Sequence, residues 1–278
     1  MPELPEVETI RRDLEKEIVG KKLKEVTVTG LRTVRRRPEE FKERLEGRQI
    51  LGVDRRGKYL VVRLDGPDLL VIHLRMSGQL LKATPKDPLD KHTHAVLAFS
   101  PPGALQVRFV DPRTFGELFV TTPEALEATV PELAHLGFDP LETPMSWEKF
   151  GLLVRARKAK LKSLLMDQTF IAGIGNLYAD EILFAAGLRY DRNSASISPQ
   201  EARRLWRGMT EVLTEAIKAR GSSLADEQYV DLFGRTGKFQ EQHQVYAREG
   251  KRCLRCRATI SRVKFAQRST YFCPSCQV

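Results

Sequence analysis

The only four cysteines of this 278-residue chain form two C-x-x-C pairs near its C-terminus. Cys253 and Cys256 are separated by 16 residues from Cys273 and Cys276. Each pair directs two thiolates at one point, and two pairs complete a closed tetrahedral Zn²⁺ site without an open position for catalysis. Disulfides or four buried thiols are the alternatives, and a cytoplasmic chain with no other cysteine favours metal. We therefore expect one structural Zn²⁺ that folds a short hairpin, a zinc ribbon over residues 245–278.

Basic residues are concentrated in the same C-terminal segment. The whole chain has a formal net charge of +10, and residues 245–278 hold eight Lys and Arg against one acid, Glu249. Four thiolates and one Zn²⁺ sum to about −2, so this surplus exceeds what the metal site needs. A basic surface of this kind favours a polyanionic partner such as nucleic acid.

Composition limits the class of protein. Hydrophobic residues make up 41% of the chain, which is enough for packed cores in two domains. No run of 18 apolar residues and no signal-peptide layout occurs. We therefore expect a cytoplasmic protein that neither spans a membrane nor is exported. Nothing in the sequence indicates an obligate oligomer, so we expect a monomer.

The hydrophobic pattern changes along the chain from strand-like to helical. After an amphipathic first helix that ends near Gly20, residues 22–122 contain eight short strand-like runs, which predict a β-sandwich or barrel. A proline-rich connector follows, and the pattern is helical from about Ser146. Ser198 and Glu201 predict a capping box at the start of the last long helix.

Residues 221–244 lack a clear period, although they are too many for a simple connection. Loops of this length in compact domains are usually functional lids or disordered segments. Gly221, Gly234 and Gly237 are suitable hinges for a lid. A flexible spacer before the zinc ribbon fits the sequence equally well.

The chain begins Met1-Pro2-Glu3, so removal of Met1 would leave a free secondary amine beside a carboxylate. An α-amino group has a reference pKa of about 7.7–8.0 and, unlike lysine, keeps a usable neutral fraction at neutral pH. A neutral amine attacks carbon electrophiles, and a secondary amine condenses with a sugar aldehyde to a cationic iminium. The alternative is that Pro2 and Pro5 only open the first helix.

Seven segments combine with these features: PELPEVET, RRGKYL, HLRMSG, DPRTFGEL, GIGNLYADEILF, GRTGKFQ and the four-cysteine tail. Together, and in this order, they resemble the formamidopyrimidine-DNA glycosylase family from end to end. The resemblance implies an α+β protein of two domains, in which an N-terminal helix and a two-layer antiparallel β-sandwich precede a helix-two-turn-helix bundle and the ribbon. The implied bounds are 1–135 for the catalytic β-sandwich domain, 136–150 for a linker, 151–244 for the helix-two-turn-helix domain with a lesion-capping loop at about 221–244, and 245–278 for the zinc ribbon.

The resemblance also implies the chemistry. It indicates a bifunctional DNA glycosylase and AP lyase that turns out and excises oxidised purines, notably 8-oxoguanine and formamidopyrimidines, from double-stranded DNA, and that acts at abasic lesions. Pro2 is the implied nucleophile at C1′, Glu3 its acid/base partner and Lys58 a cation near the lesion and its phosphate. The iminium then supports β- and δ-elimination, which cut both flanking phosphodiester bonds.

Three residues are implied to fill the space that the turned-out nucleotide leaves. Met76 and Phe115 would replace lost stacking, while the guanidinium of Arg113 would supply donors to the orphaned cytosine. Arg75 departs from the glycine usual in relatives and adds bulk and charge beside Met76.

Four further residues are implied to bind DNA. Asn176 and Arg268 correspond to clamps on the phosphate backbone, which fix register without reading sequence. His92 and Lys158 are the other two DNA-binding positions. Ser163 is a second departure, because proline is common there.

Two other functions stay open from the sequence. The sister family of oxidised-pyrimidine glycosylases shares the proline, the glutamate and the ribbon, but it typically has glycine where this chain has Leu4. The turn that carries Arg113 and Phe115 also favours the purine enzyme. In a non-catalytic zinc-ribbon DNA-binding protein, Pro2 would be only a helix opener.

Overall fold

The computed structural model describes residues 2–30, 32–35, 37–100, 104–224 and 228–278. The helices of this described part are α1 (Leu4–Ile18), α2 (Pro38–Leu45), α3 (Leu126–Thr129), α4 (Pro131–Ala134), α5 (Trp147–Ala156), α6 (Leu161–Met166), α7 (Asn176–Ala186) and α8 (Pro199–Lys218). Its strands are β1 (Leu23–Val28), β2 (Ile50–Arg56), β3 (Tyr59–Leu64), β4 (Leu69–His73), β5 (Gln79–Ala83), β6 (Thr93–Phe99), β7 (Gln106–Val110), β8 (Glu117–Thr121), β9 (Ser261–Phe265) and β10 (Arg268–Phe272). No helix in these ranges has the length and apolar character needed to cross a membrane.

The chain divides into two compact units. The first contains Met1–Ala134 together with Ala219–Lys238, and the second contains His135–Lys218 together with Phe239–Val278. Each unit has a hydrophobic core of its own.

The first unit is a β-sandwich of two four-stranded antiparallel sheets, with strand orders β1-β6-β7-β5 and β2-β3-β4-β8. Alternate residues of several strands point inward, such as Leu60, Val62 and Leu64 of β3, and they join side chains of the other sheet in one core. The two separate strand orders identify a sandwich, so the predicted two-layer fold is confirmed and the barrel alternative is wrong. Helix α1 adds Val7 and Ile10 to this core.

Helix α2 was not predicted. Its eight residues, PEEFKERL, are mostly charged, and only Phe41 and Leu45 are buried in it. These two positions are one turn apart, so a single apolar pair attaches the helix to the core. Pro38 at the start and Glu39 and Glu40 in the first turn are the local signals for a helix beginning here.

Residues 219–238 belong to the first unit, whereas the sequence placed them in a helical domain over 151–244. The physical reason is a set of hydrogen bonds over long sequence separations. The Lys82 amide donates to the Leu232 carbonyl at 2.7 Å, and Arg220 binds the carboxylate of Asp13 in helix α1. Part of the predicted capping loop, residues 225–227, lies outside the described residues.

The second unit contains helices α5 to α8. The predicted capping box is present: the Ser198 amide donates to Glu201 Oε2 at 2.7 Å, and the Glu201 amide donates to Ser198 Oγ at 3.2 Å. Helix α5 begins at Trp147, inside the predicted linker 136–150. Another linker residue, Phe138, packs edge-on against Phe150 with ring centroids 5.9 Å apart, so this stretch contributes to the packing of the unit.

The C-terminal segment forms a hairpin of β9 and β10. Ala266 and Gln267 connect the strands with φ values of 46° and 62°, the left-handed geometry of a two-residue turn that follows the strand twist. The segment packs on helix α7 through Phe184, which shares a small core with Val245 and Ile260.

Candidate functional site

The structure distributes the predicted site residues over both units. The first unit holds Pro2, Glu3, Lys58, Met76, His92, Arg113 and Phe115, and the second holds Lys158, Asn176, Arg268, Cys253, Cys256, Cys273 and Cys276.

Pro2 and Glu3 are buried immediately before helix α1. Glu3 is the N-cap of the helix, and its amide donates to Glu6 Oε2 at 2.9 Å in a capping box. The Glu3 side chain is thereby attached to the rigid end of a helix whose inner face lies in the core. Met1, whose removal the sequence interpretation requires, lies outside the described residues.

Glu6 also connects this helix to the segment that the sequence assigned to a lid. Its Oε1 accepts a hydrogen bond from the Ser222 amide at 2.8 Å. Gly221 has a φ of 80°, and a Cβ there would lie 2.8 Å from Glu6 Oε1. Only glycine fits both the left-handed backbone and this close approach.

Lys58 lies in the turn between β2 and β3, and it is half-buried. The preceding Arg55 has a completely buried side chain that donates from Nε to Glu8 Oε2 at 3.1 Å and from Nη1 to the Gly57 carbonyl at 3.0 Å. Arg55 therefore joins helix α1 to the turn that carries Lys58. Sequence reasoning missed this residue, because an arginine in a strand usually indicates a solvated face.

His73 lies close to the same turn. Burial lowers the pKa of His73 to about 3, and the positive charges of Arg75, Lys58 and Arg35 act in the same direction. The imidazole is therefore neutral at physiological pH, and its Nδ1 accepts a hydrogen bond from the Arg75 amide at 3.0 Å.

Two loops present the residues predicted to enter DNA: the Met76 loop (residues 74–78) and the Phe115 loop (residues 111–116). Met76 and Phe115 are 41% and 51% exposed, so each of the two loops carries a large apolar side chain in contact with solvent. The guanidinium carbon of Arg113 lies 5.0 Å from the Phe115 ring centroid, within cation–π distance.

Arg75, which stands where relatives usually have glycine, has an unusual backbone conformation and an ion-pair partner. Arg75 has a φ of 53°, so its backbone is in the left-handed region that favours glycine. Its guanidinium lies 3.4 Å from Glu117 Oε2, and Arg35 contacts the same oxygen at 2.6 Å. The added charge is thus paired with a neighbouring carboxylate.

In the second unit, Asn176 and Arg268 lie on neighbouring elements. Asn176 is the first residue of α7, and its Nδ2 donates to the Ser269 carbonyl at 3.0 Å. Arg268, which precedes Ser269, is exposed at the start of β10. Lys158 is also exposed, with a φ of 49°. The second departure, Ser163, lines a cavity of 240 Å³ together with Arg268.

A buried ion pair, which the sequence did not indicate, attaches β10 to the helices. Lys162 Nζ lies 2.7 Å from Asp180 Oδ1, and both side chains are 1% exposed. Lys162 also donates to Thr270 Oγ1 at 2.7 Å, while Asp180 accepts from the Tyr271 amide at 2.9 Å. Burial raises the pKa of Asp180 to about 7 even though the Lys162 ammonium opposes the shift.

The four cysteines fit one zinc ion. Their Sγ atoms all lie within 4.8 Å of one another, with Cys253 and Cys276 at 3.9 Å and Cys256 and Cys273 at 3.4 Å. Tetrahedral Zn–S bonds of about 2.3 Å separate sulfurs by roughly 3.8 Å, whereas a disulfide needs about 2.05 Å. The predicted structural Zn²⁺ site is confirmed, and it provides no open position for catalysis.

Three protein-family models match successive parts of the chain. Residues 1–118 match the formamidopyrimidine-DNA glycosylase N-terminal domain, residues 136–228 match the formamidopyrimidine-DNA glycosylase H2TH domain, and residues 250–278 match the zinc finger found in FPG and IleRS.

Full-length relatives agree with these matches. A formamidopyrimidine-DNA glycosylase of Heliobacterium modesticaldum is 46% identical and is covered, like this chain, over 100% of its length. The MutM (Fpg) protein of Thermus thermophilus is 41% identical with a TM-score of 0.87, over 99% of this chain and 98% of that one. Lactococcus lactis Fpg in complex with DNA containing an abasic site is 36% identical with a TM-score of 0.89, over 99% of both chains. Other structures of the lactococcal protein contain Fapy-dG DNA or oxidised-pyrimidine DNA. The chain therefore belongs to the formamidopyrimidine-DNA glycosylase family.

Proposed function

We propose that the protein is a bifunctional DNA glycosylase and AP lyase of base excision repair that removes oxidised purines from double-stranded DNA. The observation that carries the proposal is the buried Pro2-Glu3 pair at the rigid start of α1. The same unit contains Lys58 and the exposed side chains of Met76 and Phe115, which suit a reaction on a nucleotide taken out of the duplex. The protein acts in this proposal as a cytoplasmic monomer that associates with the nucleoid through DNA.

The reaction begins with the free Pro2 nitrogen after Met1 is removed. Its lone pair forms a bond to C1′, and the glycosidic bond breaks with its electron pair leaving on the base, which takes up a proton. The nitrogen loses its own proton, and its lone pair then opens the sugar ring as the C1′–O4′ bond breaks. The product is an iminium with a permanent positive charge.

Glu3 is the proton donor for O4′ in this step. It adjoins Pro2 in the chain, and the capping contact with Glu6 holds its backbone at the helix end. A carboxylic acid within reach of the leaving oxygen lowers the cost of developing negative charge. Lys58, in the turn fixed by Arg55, provides a cation for the phosphate beside the lesion.

The iminium also explains strand cleavage. It acidifies C2′–H, so loss of that proton expels the 3′-phosphate by β-elimination, and a second, δ-elimination expels the 5′-phosphate. Both ends of the resulting gap carry phosphate, and water releases the sugar remnant from Pro2.

Access to C1′ requires the nucleotide to leave the stack, at a cost of a few kcal/mol. Met76 and Phe115 would occupy the space left behind, and Arg113 would donate to the orphaned cytosine. Apolar side chains inserted between base steps make the same exchange in other DNA-bending proteins. The exposure of the Met76 and Phe115 side chains supports this role.

Phosphate contacts complete the proposal. Asn176 and Arg268 are neighbours through the Ser269 carbonyl, and Lys158 and His92 are the other two proposed contacts. Solved lactococcal Fpg complexes with abasic and Fapy-dG DNA support the DNA partner and the lesion class.

A second lesion class has its own observation, because lactococcal Fpg has also been solved with oxidised-pyrimidine DNA. The discriminating experiment compares cleavage of matched duplexes that carry 8-oxoguanine opposite cytosine or thymine glycol opposite adenine. We expect faster cleavage of the purine duplex and phosphate at both ends of the gap. Faster cleavage of the pyrimidine duplex would favour the sister activity, and no cleavage of either would favour a non-catalytic DNA-binding protein.

A further inference from the structure

We propose that Asp111 is a positioning residue that locks the Met76 loop and the Phe115 loop into a single rigid wedge. The inference rests on the proposed function, in which Met76 and Phe115 enter the duplex together. It assigns a role to a side chain that is buried in the protein.

The carboxylate of Asp111 has hydrogen-bond partners on both loops. Asp111 is 0% exposed. Its Oδ1 accepts from Ser77 Oγ of the Met76 loop at 2.6 Å and from the Arg113 amide of the Phe115 loop at 3.1 Å. Its Oδ2 accepts from the Gly116 amide at 2.7 Å. The bonds to Arg113 and Gly116 fix the shape of the Phe115 loop, and the bond from Ser77 joins the Met76 loop to it.

The backbone of Asp111 is hydrogen-bonded to His92, another residue proposed to bind DNA. Its amide donates to the His92 carbonyl at 3.0 Å, and its carbonyl accepts from His94 Nε2 at 2.8 Å. Asp111 is therefore itself held in place from the strand side, so that its carboxylate is a fixed point for both loops.

The two loops also rest on the same ring. A Cβ added to Gly78 would lie 3.0 Å from Phe109 Cζ, and one added to Gly116 would lie 2.4 Å from that atom. Both glycines thus allow the loop backbones to lie directly on Phe109. Ser77 is the hydroxyl that crosses from one loop to the carboxylate of the other.

A wedge must resist the tendency of the bases to restack. Met76 and Phe115 are largely exposed, so their own packing provides little resistance. The loop backbones must provide it, and the Asp111 carboxylate is the group that joins them. Loss of this link predicts poor insertion into a paired duplex without loss of chemistry at a sugar that is already accessible.

The test uses Asp111→Asn, which keeps the size of the side chain but replaces one acceptor oxygen by a donor. Ser77→Ala removes only the link between the loops. Asp87→Asn is the matched control, because Asp87 also accepts from a loop amide, Thr84 at 2.6 Å, and has no contact with either loop among those described. Each full-length protein is assayed on a duplex with 8-oxoguanine opposite cytosine and, by borohydride trapping, on a single-stranded oligonucleotide with an abasic site.

We expect Asp111→Asn to slow cleavage of the paired duplex roughly tenfold or more, since it leaves a buried amide donor without its acceptor. Ser77→Ala should slow it by a smaller factor, since Asp111 Oδ1 keeps its bond from the Arg113 amide. Trapping on the single strand should change less than about twofold, because no restacking opposes access there. A 2-aminopurine beside the lesion should show a smaller fluorescence rise on binding, which reports less unstacking.

Equal losses on both substrates, or no loss on either, would overturn the inference. If Asp111→Asn does not fold, Ser77→Ala decides by the same comparison. If the wild-type protein itself forms no trapped adduct with the single-stranded abasic site, the proposed function fails. If the wild type forms the adduct but the variants lose activity equally on both substrates, only the role of Asp111 is contradicted.

Discussion

Glu8 and Arg55 form a buried ion pair, with Glu8 Oε2 3.1 Å from Arg55 Nε and side chains that are 6% and 0% exposed. The pair connects helix α1, which Pro2 and Glu3 immediately precede, to the turn that carries Lys58, because Arg55 also binds the Gly57 carbonyl. Attractions from Arg11, Arg12 and Arg55 outweigh the effect of burial and lower the pKa of Glu8. The relative position of the proposed nucleophile and the proposed cation is thus fixed inside the protein.

Glu8→Ala should destabilise the protein strongly, because it leaves the Arg55 guanidinium buried without its carboxylate. Breaking a buried pair in this way costs about 3–5 kcal/mol of unfolding free energy. The Asp54–Arg63 pair, which joins β2 to β3, is the control, since its side chains are 52% and 51% exposed at 2.7 Å. Asp54→Ala should cost about 0–1 kcal/mol in urea unfolding. Similar losses of unfolding free energy in the two variants would show that the buried Glu8–Arg55 pair contributes no more than an exposed pair.

Glu3→Gln should separate the two activities. Protonation of O4′ is needed only while the sugar ring is closed, and an abasic site already exists partly as the open aldehyde. We therefore expect base excision from an 8-oxoguanine duplex to fall by about 10²–10⁴-fold, the usual contribution of a general acid. Cleavage of a preformed abasic site should fall much less. Equal losses in single-turnover assays would remove Glu3 from the role of proton donor.

The stability of the protein should depend on pH through His73. Burial is the main reason that the pKa of His73 is lowered to about 3. As the pH falls, the imidazole therefore takes up a proton near pH 6.5 in the unfolded chain but not in the folded chain. The free energy of unfolding is therefore greatest above pH 6.5 and falls as the pH drops towards 3, by up to about 1.4 kcal/mol per pH unit. His73→Asn keeps an acceptor for the Arg75 amide and should flatten this dependence in urea titrations. An unchanged slope would contradict the assignment.

Arg268→Ala should weaken binding to damaged and undamaged duplexes by similar factors. A phosphate contact carries no lesion information, and its loss lowers the slope of log K against log salt by about 1. Arg262 is the matched control on the same hairpin, because it is engaged by Glu249 at 3.3 Å. Arg262→Ala should change the slope less. In fluorescence anisotropy, a loss confined to lesion-bearing DNA would rule out a backbone clamp.

Removal of zinc should abolish DNA binding before it unfolds the first unit. Apparent binding free energies of structural zinc are about 10–16 kcal/mol, so the ribbon cannot keep its fold without the ion. We expect one zinc per chain by metal analysis, and Cys256→Ser should lose both metal and affinity for an undamaged duplex. The β-sandwich should retain its sheet signal in circular dichroism. Full affinity in a zinc-free protein would contradict a role for the ribbon in DNA binding.

Local patterns in the sequence were sufficient for most of the fold. Strand alternation, the Ser198–Glu201 capping box and the cysteine spacing are short-range signals, and the structure contains each of them. Helix α2 was not predicted, because only Phe41 and Leu45 are apolar on its inner face and two residues do not establish a helical period. The packing of residues 219–238 on the first unit depends on contacts such as Ser222 with Glu6, which no local pattern encodes.

Motifs in the sequence allow proposals for residues that would act directly on DNA, but not for residues that act through others. Met76 and Phe115 are proposed from their motifs, whereas Arg55 and Asp111 lie among charged or turn residues that usually indicate a solvated surface. Burial reverses that interpretation, because an enclosed charge must have partners, and its partners identify the loops that it positions.

The proposed reaction requires the Pro2 nitrogen to form a covalent bond to C1′. Borohydride reduction of the protein with duplex DNA containing 8-oxoguanine should give a covalent adduct, and mass spectrometry should locate the sugar remnant on a peptide that begins at Pro2. A protein that retains Met1 serves as the control and should give none. Absence of an adduct from protein shown by intact mass to begin at Pro2, or an adduct on a lysine instead, would contradict the account.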